Sequence, residues 1–169
     1  HFRRYSFWGP DHVATLADLE TAIAERLAGC EKAVLLASLP RIGQVNLAQI
    51  VAEVGPILER TESMELASAE VGASPVTRAS GSHRSVSFRY ACDTKARKAL
   101  ISFADNSRQD SPWAADVYRR ARERGCRHSH AIRILARAWL RVIWACWHSQ
   151  SPYDSAQHGA SRSLSLARG

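Results

Sequence analysis

The residue types best suited to chemistry lie in one polar segment, PVTRASGSHRSVSFRY, which runs from Pro75 to Tyr90. Ser80 stands directly before Gly81, and glycine gives the backbone the freedom to present a neighbouring hydroxyl. A serine is a weak nucleophile unless a base, a metal ion or nearby positive charge assists it. Preorganised cations stabilise the charge that develops in phosphoryl transfer, and the segment supplies Arg78, His83, Arg84 and Arg89.

The same composition is also typical of a solvated loop. His83 is a candidate base, and it is equally well interpreted as a surface histidine. From the residues alone two interpretations of Ser80 stay open: a nucleophile that meets a phosphate, or a polar residue of an exposed loop.

A second candidate site lies in the stretch LLASLPRIGQVNLAQIVAEVG, residues 35–55. Its central proline and glycine predict two helices joined by a tight turn, as in a helix-hairpin-helix module. Such a turn aims backbone N–H groups of the second helix at a phosphate, without reading sequence. We expect Ile42 to anchor the turn, Gly43 to admit the ligand and Gln44 to begin the second helix. The usual pattern has glycine where Arg41 stands, and an ordinary pair of antiparallel helices is the alternative.

The basic residues are concentrated in the second half of the chain. The net charge is +7, but residues 1–77 carry −4 and residues 78–141 carry +10. This asymmetry favours a polyanionic partner, and nucleic acid is the leading candidate. Lys95, Arg97 and Lys98 follow the serine segment and are further candidate phosphate contacts.

Metal-binding and membrane-spanning functions have little support in the sequence. The four cysteines form no C-x-x-C pair, and the Cys/His cluster at 126–130 is too tight for an ordinary zinc site. We therefore expect reduced cysteines and no metal site in this chain. Three residues, Arg133, Arg137 and Arg141, interrupt the most apolar stretch and argue against a membrane span. They share one helix face, which is either solvated or in contact with a nucleic-acid backbone.

The elements that must position these residues are predicted to be mainly α-helical. Apolar spacing and end signals predict helices over 13–27, 32–39, 44–54, 63–71, 94–105, 113–124 and 129–148. Asp93, Ser111 and Ser129 are the expected N-caps, and Gly55-Pro56 is expected to end the third helix. The predicted fold class is a helical bundle with a helix-hairpin-helix-like element and a short extended or β excursion near 76–90.

Four stretches occur in an order and spacing that resemble a known family: LASLPRIGQVNLAQIVAEVG, then VGASPVTRASG, then VSFRYACDTKARKALISFADNSRQDSPWAADVYRRARERGC, then HAIRILARAWLRVIWACW with PYD after it. Together they resemble the C-terminal half of bacterial insertion-sequence transposases of the IS-one-ten/IS-one-sixteen group. The resemblance covers about residues 13–154. The opening HFRRYSFWG is similar to the connector that precedes this half.

The resemblance implies a serine, here Ser80, that attacks a DNA phosphodiester and forms a covalent protein–DNA link. It also implies recombination guided by a structured bridge RNA, a homo-oligomer, and an N-terminal RuvC-like domain whose four acidic residues hold Mg²⁺. Family members commonly have lysine after the Ser-Gly pair, where this chain has Ser82. Since no carboxylate cluster is evident in these residues, we expect the chain to be inactive alone and the Mg²⁺ to belong to the missing domain.

The resulting domain prediction is a connector over 1–12, a linker helix or coiled-coil arm over 13–30, a C-terminal transposase domain over 31–154 and a disordered tail over 155–169. Within the domain, the hairpin module spans 33–55 and the serine loop 75–90. We expect a cytoplasmic, nucleoid-associated bacterial protein. Two alternatives stay open: a non-catalytic nucleic-acid-binding module, and a remnant of a broken mobile element.

Overall fold

The computed structural model describes residues 10–74, 76–80, 83–87 and 92–156, with side chains described for 15–74 and 92–156. In these residues the chain is mainly α-helical, which confirms that part of the predicted fold class. The helices are α1 Pro10–Ala28, α2 Glu31–Leu36, α3 Gln44–Gln49, α4 Gly55–Arg60, α5 Met64–Glu70, α6 Thr94–Ser107, α7 Pro112–Glu123 and α8 His128–Ser149, and the strands are β1 Val76–Ser80 and β2 His83–Ser87.

Helix α8 forms the centre of the bundle and packs against α6, α7, α2 and α5. Its apolar residues recur at helical spacing and bury one broad face. Trp139 is fully buried, and its ring lies 5.0 Å from that of Phe103 and 4.8 Å from that of Trp113. The indole Nε1 donates to Ser107 Oγ at 2.7 Å, so the polar atom of this large side chain is satisfied inside the core.

Local end signals set several helix boundaries as predicted. The Asp93 carboxylate accepts from the backbone N–H groups of Lys95 and Ala96, each at 2.9 Å, and so caps α6. Ser111 Oγ accepts from Ala114 N at 3.2 Å and caps α7, where proline follows at the first helical position.

The predicted end of the third helix at Gly55-Pro56 is wrong. Helix α3 continues through a π-helical turn, Ile50–Val54, directly into α4. Proline lacks a backbone N–H and its ring clashes with the carbonyl one α-helical turn before it, so an interruption of the regular α-helix before Pro56 is expected. Gly55 is also buried against Trp147: a Cβ at this position would lie 2.7 Å from the indole Cη2. The long helix can pass this close to α8 because it has no side chain here.

Two smaller boundary predictions also need correction. Helix α2 ends at Leu36, before the predicted limit of 39, and the chain then turns through Pro40. Helix α8 begins at His128, and its N-cap residue Arg127 makes no side-chain cap, so Ser129 lies inside the helix and does not cap it.

The strands form an antiparallel pair within the segment expected to be extended. The register pairs Val76 with Ser87 and Ser80 with His83. None of the described helices is both long enough and apolar enough to cross a membrane.

Candidate nucleic-acid interface

The β1–β2 pair is an arm that leaves and re-enters the bundle at one place, between the end of α5 and the start of α6. The backbone N–H of Asp93 donates to Glu70 O at 2.9 Å and joins the two ends. Gly72 has φ +74, and a Cβ there would lie 2.7 Å from Cys92 Sγ. This close contact, which only glycine permits, defines the root of the arm.

Four predicted site residues lie on the arm. Ser80 ends β1 and pairs with His83, the first residue of β2; Arg78 and Arg84 occupy neighbouring register positions. These residues therefore share the end of the hairpin farthest from its root. The predicted contributions of Gly81 and Arg89 lie outside the described residues.

The predicted phosphate contacts on α6 lie beside the root of the arm. Lys95 and Lys98 are exposed on the first turns of this helix, and Arg97 is half-buried. Asp93 occupies the N-cap position and engages backbone donors. The positive side chains of α6 are thus held on a capped, rigid helix that starts where the arm ends.

The turn between α2 and α3 holds the other four predicted residues. Arg41 has φ 57, a left-handed conformation that favours glycine. Its guanidinium lies 3.4 Å from Asp110 Oδ1, with both side chains about half exposed. Ile42 packs against the core, Gly43 precedes α3, and Gln44 begins α3 and is exposed.

The structure does not bring this turn and the arm together. Arg41 contacts Asp110, just beyond the C-terminal end of α6, whereas the arm is rooted at Asp93, the N-cap of α6. A helix of this length spans about 20 Å, so the two predicted sites lie at opposite ends of α6. The link between them is indirect: Asn46 Nδ2 of α3 donates to Ala99 O of α6 at 3.0 Å.

The arginine face of α8 is not uniformly solvated. Arg141 is exposed, whereas Arg133 and Arg137 are half-buried, and the buried Nε of Arg137 has no hydrogen-bond partner. Burial lowers the pKa of the Arg133 guanidinium, and the neighbouring Arg97 lowers it further. Two like charges are therefore held near each other at the root of the arm, on helices that are far apart in sequence.

The described residues do not fit a metal centre. They contain no group of three or more histidine, cysteine, aspartate or glutamate side chains that could hold a metal ion. The Mg²⁺ implied by the resemblance therefore has no ligand set among the described residues.

Comparison with known proteins gives concordant results. The model of the family described as "Transposase IS116/IS110/IS902 family" matches residues 33–119, more than half of the chain, including the serine segment. The chain is 29% identical over 137 residues to the "Mini-circle putative transposase for IS117" of Streptomyces coelicolor, a match that covers 81% of this chain and 33% of that protein. It is 28% identical over 144 residues to the "Insertion element IS900 uncharacterized 42 kDa protein" of Mycobacterium paratuberculosis, covering 83% and 36%. The chain thus spans about a third of the length of these curated relatives.

Proposed function

Because the chain belongs to the transposase IS116/IS110/IS902 family, we propose that it is the serine-bearing, DNA-binding part of a transposase and that Ser80 is its nucleophile. The observation that carries the proposal is the family match, whose range, residues 33–119, includes the α2–α3 turn, the arm and α6. A role in transposition follows from the family itself.

The proposed step is a transesterification at a DNA phosphodiester. The Ser80 oxygen forms a bond to phosphorus, the bond from phosphorus to one deoxyribose oxygen breaks, and that leaving oxygen takes up a proton. The serine hydroxyl proton passes to a base, for which His83, the register partner of Ser80, is the candidate. Arg78 and Arg84, at neighbouring positions of the same arm, supply positive charge for the developing negative charge.

In this proposal the α2–α3 turn and α6 hold the DNA. Backbone N–H groups after Gly43 and the side chains of Arg41 and Gln44 bind one phosphate, as a helix-hairpin-helix module does. A Cβ placed on Gly43 would have no atom within 4 Å, so this side of the turn is open to a ligand. Lys95, Arg97 and Lys98 bind backbone phosphates nearer the arm.

The complete reaction requires more than the described residues. We propose that a Mg²⁺-binding acidic domain, a structured guide RNA and further copies of the transposase act together with this part on DNA in the bacterial cytoplasm.

The test is a chimaeric transposase in which this chain replaces the matching segment of the IS117 protein. Wild-type chimaera should transfer radiolabelled DNA to protein, and the adduct should survive denaturing electrophoresis. Ser80→Ala should abolish the adduct and recombination, because the alanine side chain has no oxygen that could attack phosphorus.

Ser82→Ala is the matched control, since it removes a hydroxyl two residues away in the sequence. It should retain the adduct. Adduct formation by Ser80→Ala at the wild-type level would refute the assignment. DNA binding without an adduct in any form would instead identify a non-catalytic binding module.

A further inference from the structure

The corner between α7 and α8 forms an open cleft of about 460 Å³. Its lining alternates cationic and small residues from the end of one helix and the first turns of the next. The lining residues are Arg124, Gly125, Cys126, Arg127, Ser129, His130 and Arg133. We call these residues the basic corner. Three arginines and a histidine thus face one concavity wide enough for a phosphate group and its neighbours.

No carboxylate lines the basic corner among the described residues. Arg124 and Arg127 are exposed and form no ion pair with a described acidic side chain. The nearest acidic residue in sequence, Glu123, is engaged by Arg119 Nη1 at 2.7 Å. Like charges are brought together here at an electrostatic cost that a polyanion would offset.

The backbone adds to this positive potential. Gly125, with φ +83, ends α7 and turns the chain sharply. Helix α8 has 22 residues and starts within the cleft, and its N-cap residue Arg127 provides no side-chain acceptor for the first N–H groups. Those donors and the helix dipole both favour an anion at the same point as the arginines.

The basic corner is continuous with the root of the serine arm. Arg133 lines both this cleft and a small crevice that Gly72 and Arg97 also line. Positive side chains therefore run from Arg97 at the start of α6, through Arg133, to Arg127 and Arg124. This row of positive side chains begins where the arm leaves the bundle. It extends away from the α2–α3 turn, which lies at the other end of α6.

From this arrangement we infer that the basic corner is a second DNA-backbone binding surface, which holds the duplex phosphates that flank the strand presented to Ser80. The inference rests on the proposed function and extends it to Arg124, Arg127, His130 and Arg133. Arginine forks and the exposed N–H groups of α8 suit phosphate oxygens, which recur along a duplex irrespective of sequence.

The experiment measures binding of the 169-residue chain to a fluorescent duplex DNA by anisotropy over a series of salt concentrations. The Arg124→Gln/Arg127→Gln variant removes two phosphate contacts, so the slope of log affinity against log salt should become shallower by about 1.8. The loss should be equal for duplexes of unrelated sequence, because phosphate contacts carry no base information. Thermal melting should be unchanged, since both side chains are exposed.

Arg26→Gln/Arg120→Gln is the matched control, with the same loss of charge at two exposed arginines outside the corner. It should keep the wild-type slope. An unchanged slope in the corner variant, or an equal change in the control, overturns the inference. Weaker binding of a structured RNA hairpin with unaltered DNA binding also overturns it, and would assign the corner to RNA.

The two proposals fail separately. Ser80→Ala should leave the salt slope of the chain intact, and its effect is measured by the covalent adduct. An unchanged salt slope in the corner variant contradicts the second DNA-binding surface alone. An adduct formed by Ser80→Ala contradicts the role of Ser80 as nucleophile alone.

Discussion

Arg41 and Gly72 both occupy the left-handed backbone region, but for different reasons. Gly72, with φ +74, has no space for a Cβ because Cys92 fills it. Arg41, with φ 57, has an exposed side chain that reaches Asp110. At position 72 a side chain would be opposed by both the backbone conformation and the contact with Cys92. At position 41 it is opposed by the backbone conformation alone. Alanine substitutions at Gly72 and at Gly125, another glycine with positive φ, can separate the cost of backbone strain from the cost of the Cys92 contact. The result matters for function because Gly72 lies at the root of the serine arm.

Gly72→Ala should destabilise the fold by roughly 2–4 kcal/mol, since the new methyl group adds a steric clash to the backbone strain. Its Cβ would lie 2.7 Å from Cys92 Sγ and 2.9 Å from Cys92 Cβ. Urea unfolding followed by circular dichroism measures this.

Gly125→Ala is the control for backbone strain, because Gly125 also has positive φ but nothing lies within 4 Å of its Cβ position. It should cost only about 1 kcal/mol. Equal losses in the two variants would show that the Cys92 contact contributes nothing.

At the scale of elements, capping residues and close helix contacts decide where the cationic side chains stand. Asp93 fixes the start of α6 and accepts two backbone N–H groups. The helix that carries Lys95, Arg97 and Lys98 therefore begins at a defined point relative to the arm. Elsewhere a contact overrides the local signal, as where Gly55 lets the α3–α4 helix pass Trp147 of α8.

Asp93→Ala should lower the free energy of unfolding by about 1 kcal/mol, because it removes the side-chain acceptor of the α6 N-cap. Asp93→Asn should restore most of it, since asparagine is also a good N-cap. The measurement is chemical denaturation of both variants beside wild type. Equal destabilisation by alanine and asparagine would show that the charge, and not the capping hydrogen bonds, is what stabilises α6.

At the scale of the whole molecule, one long helix organises both the core and the charged surface. One face of α8 buries Leu135, Trp139 and Ile143, while its first turns contribute to the basic corner. The C-terminal part of α8 and the segment after it place two ionisable groups against the core, Cys146 and Tyr153. Burial raises the pKa of the Cys146 thiol above 9.0 and that of the Tyr153 phenol above 10.0, their ordinary values.

The raised pKa values predict a loss of stability at alkaline pH. The folded chain holds these two protons more tightly than the unfolded chain, so their contribution is fully present below the ordinary values and declines as pH rises through 9.0 and 10.0. Urea unfolding from neutral to alkaline pH should show this decline. The Cys146→Ala/Tyr153→Phe variant has neither proton to lose and should show a shallower decline; a decline as steep as that of wild type would contradict the assignment.

The sequence alone determined the features that depend on a few neighbouring residues. The caps at Asp93 and Ser111 and the mainly helical class follow from local chemistry, and the family motifs identified Ser80 and the α2–α3 turn as candidate sites. The tertiary structure decided what depends on distant partners: that Gly55 lies directly against Trp147 inside a continuing helix, and that the α2–α3 turn and the arm lie at opposite ends of α6. It also decided that Arg97 and Arg133 stand together beside the arm, because chain folding brings α6 against α8, and side-chain spacing within one helix carries no information about which helix will lie next to it.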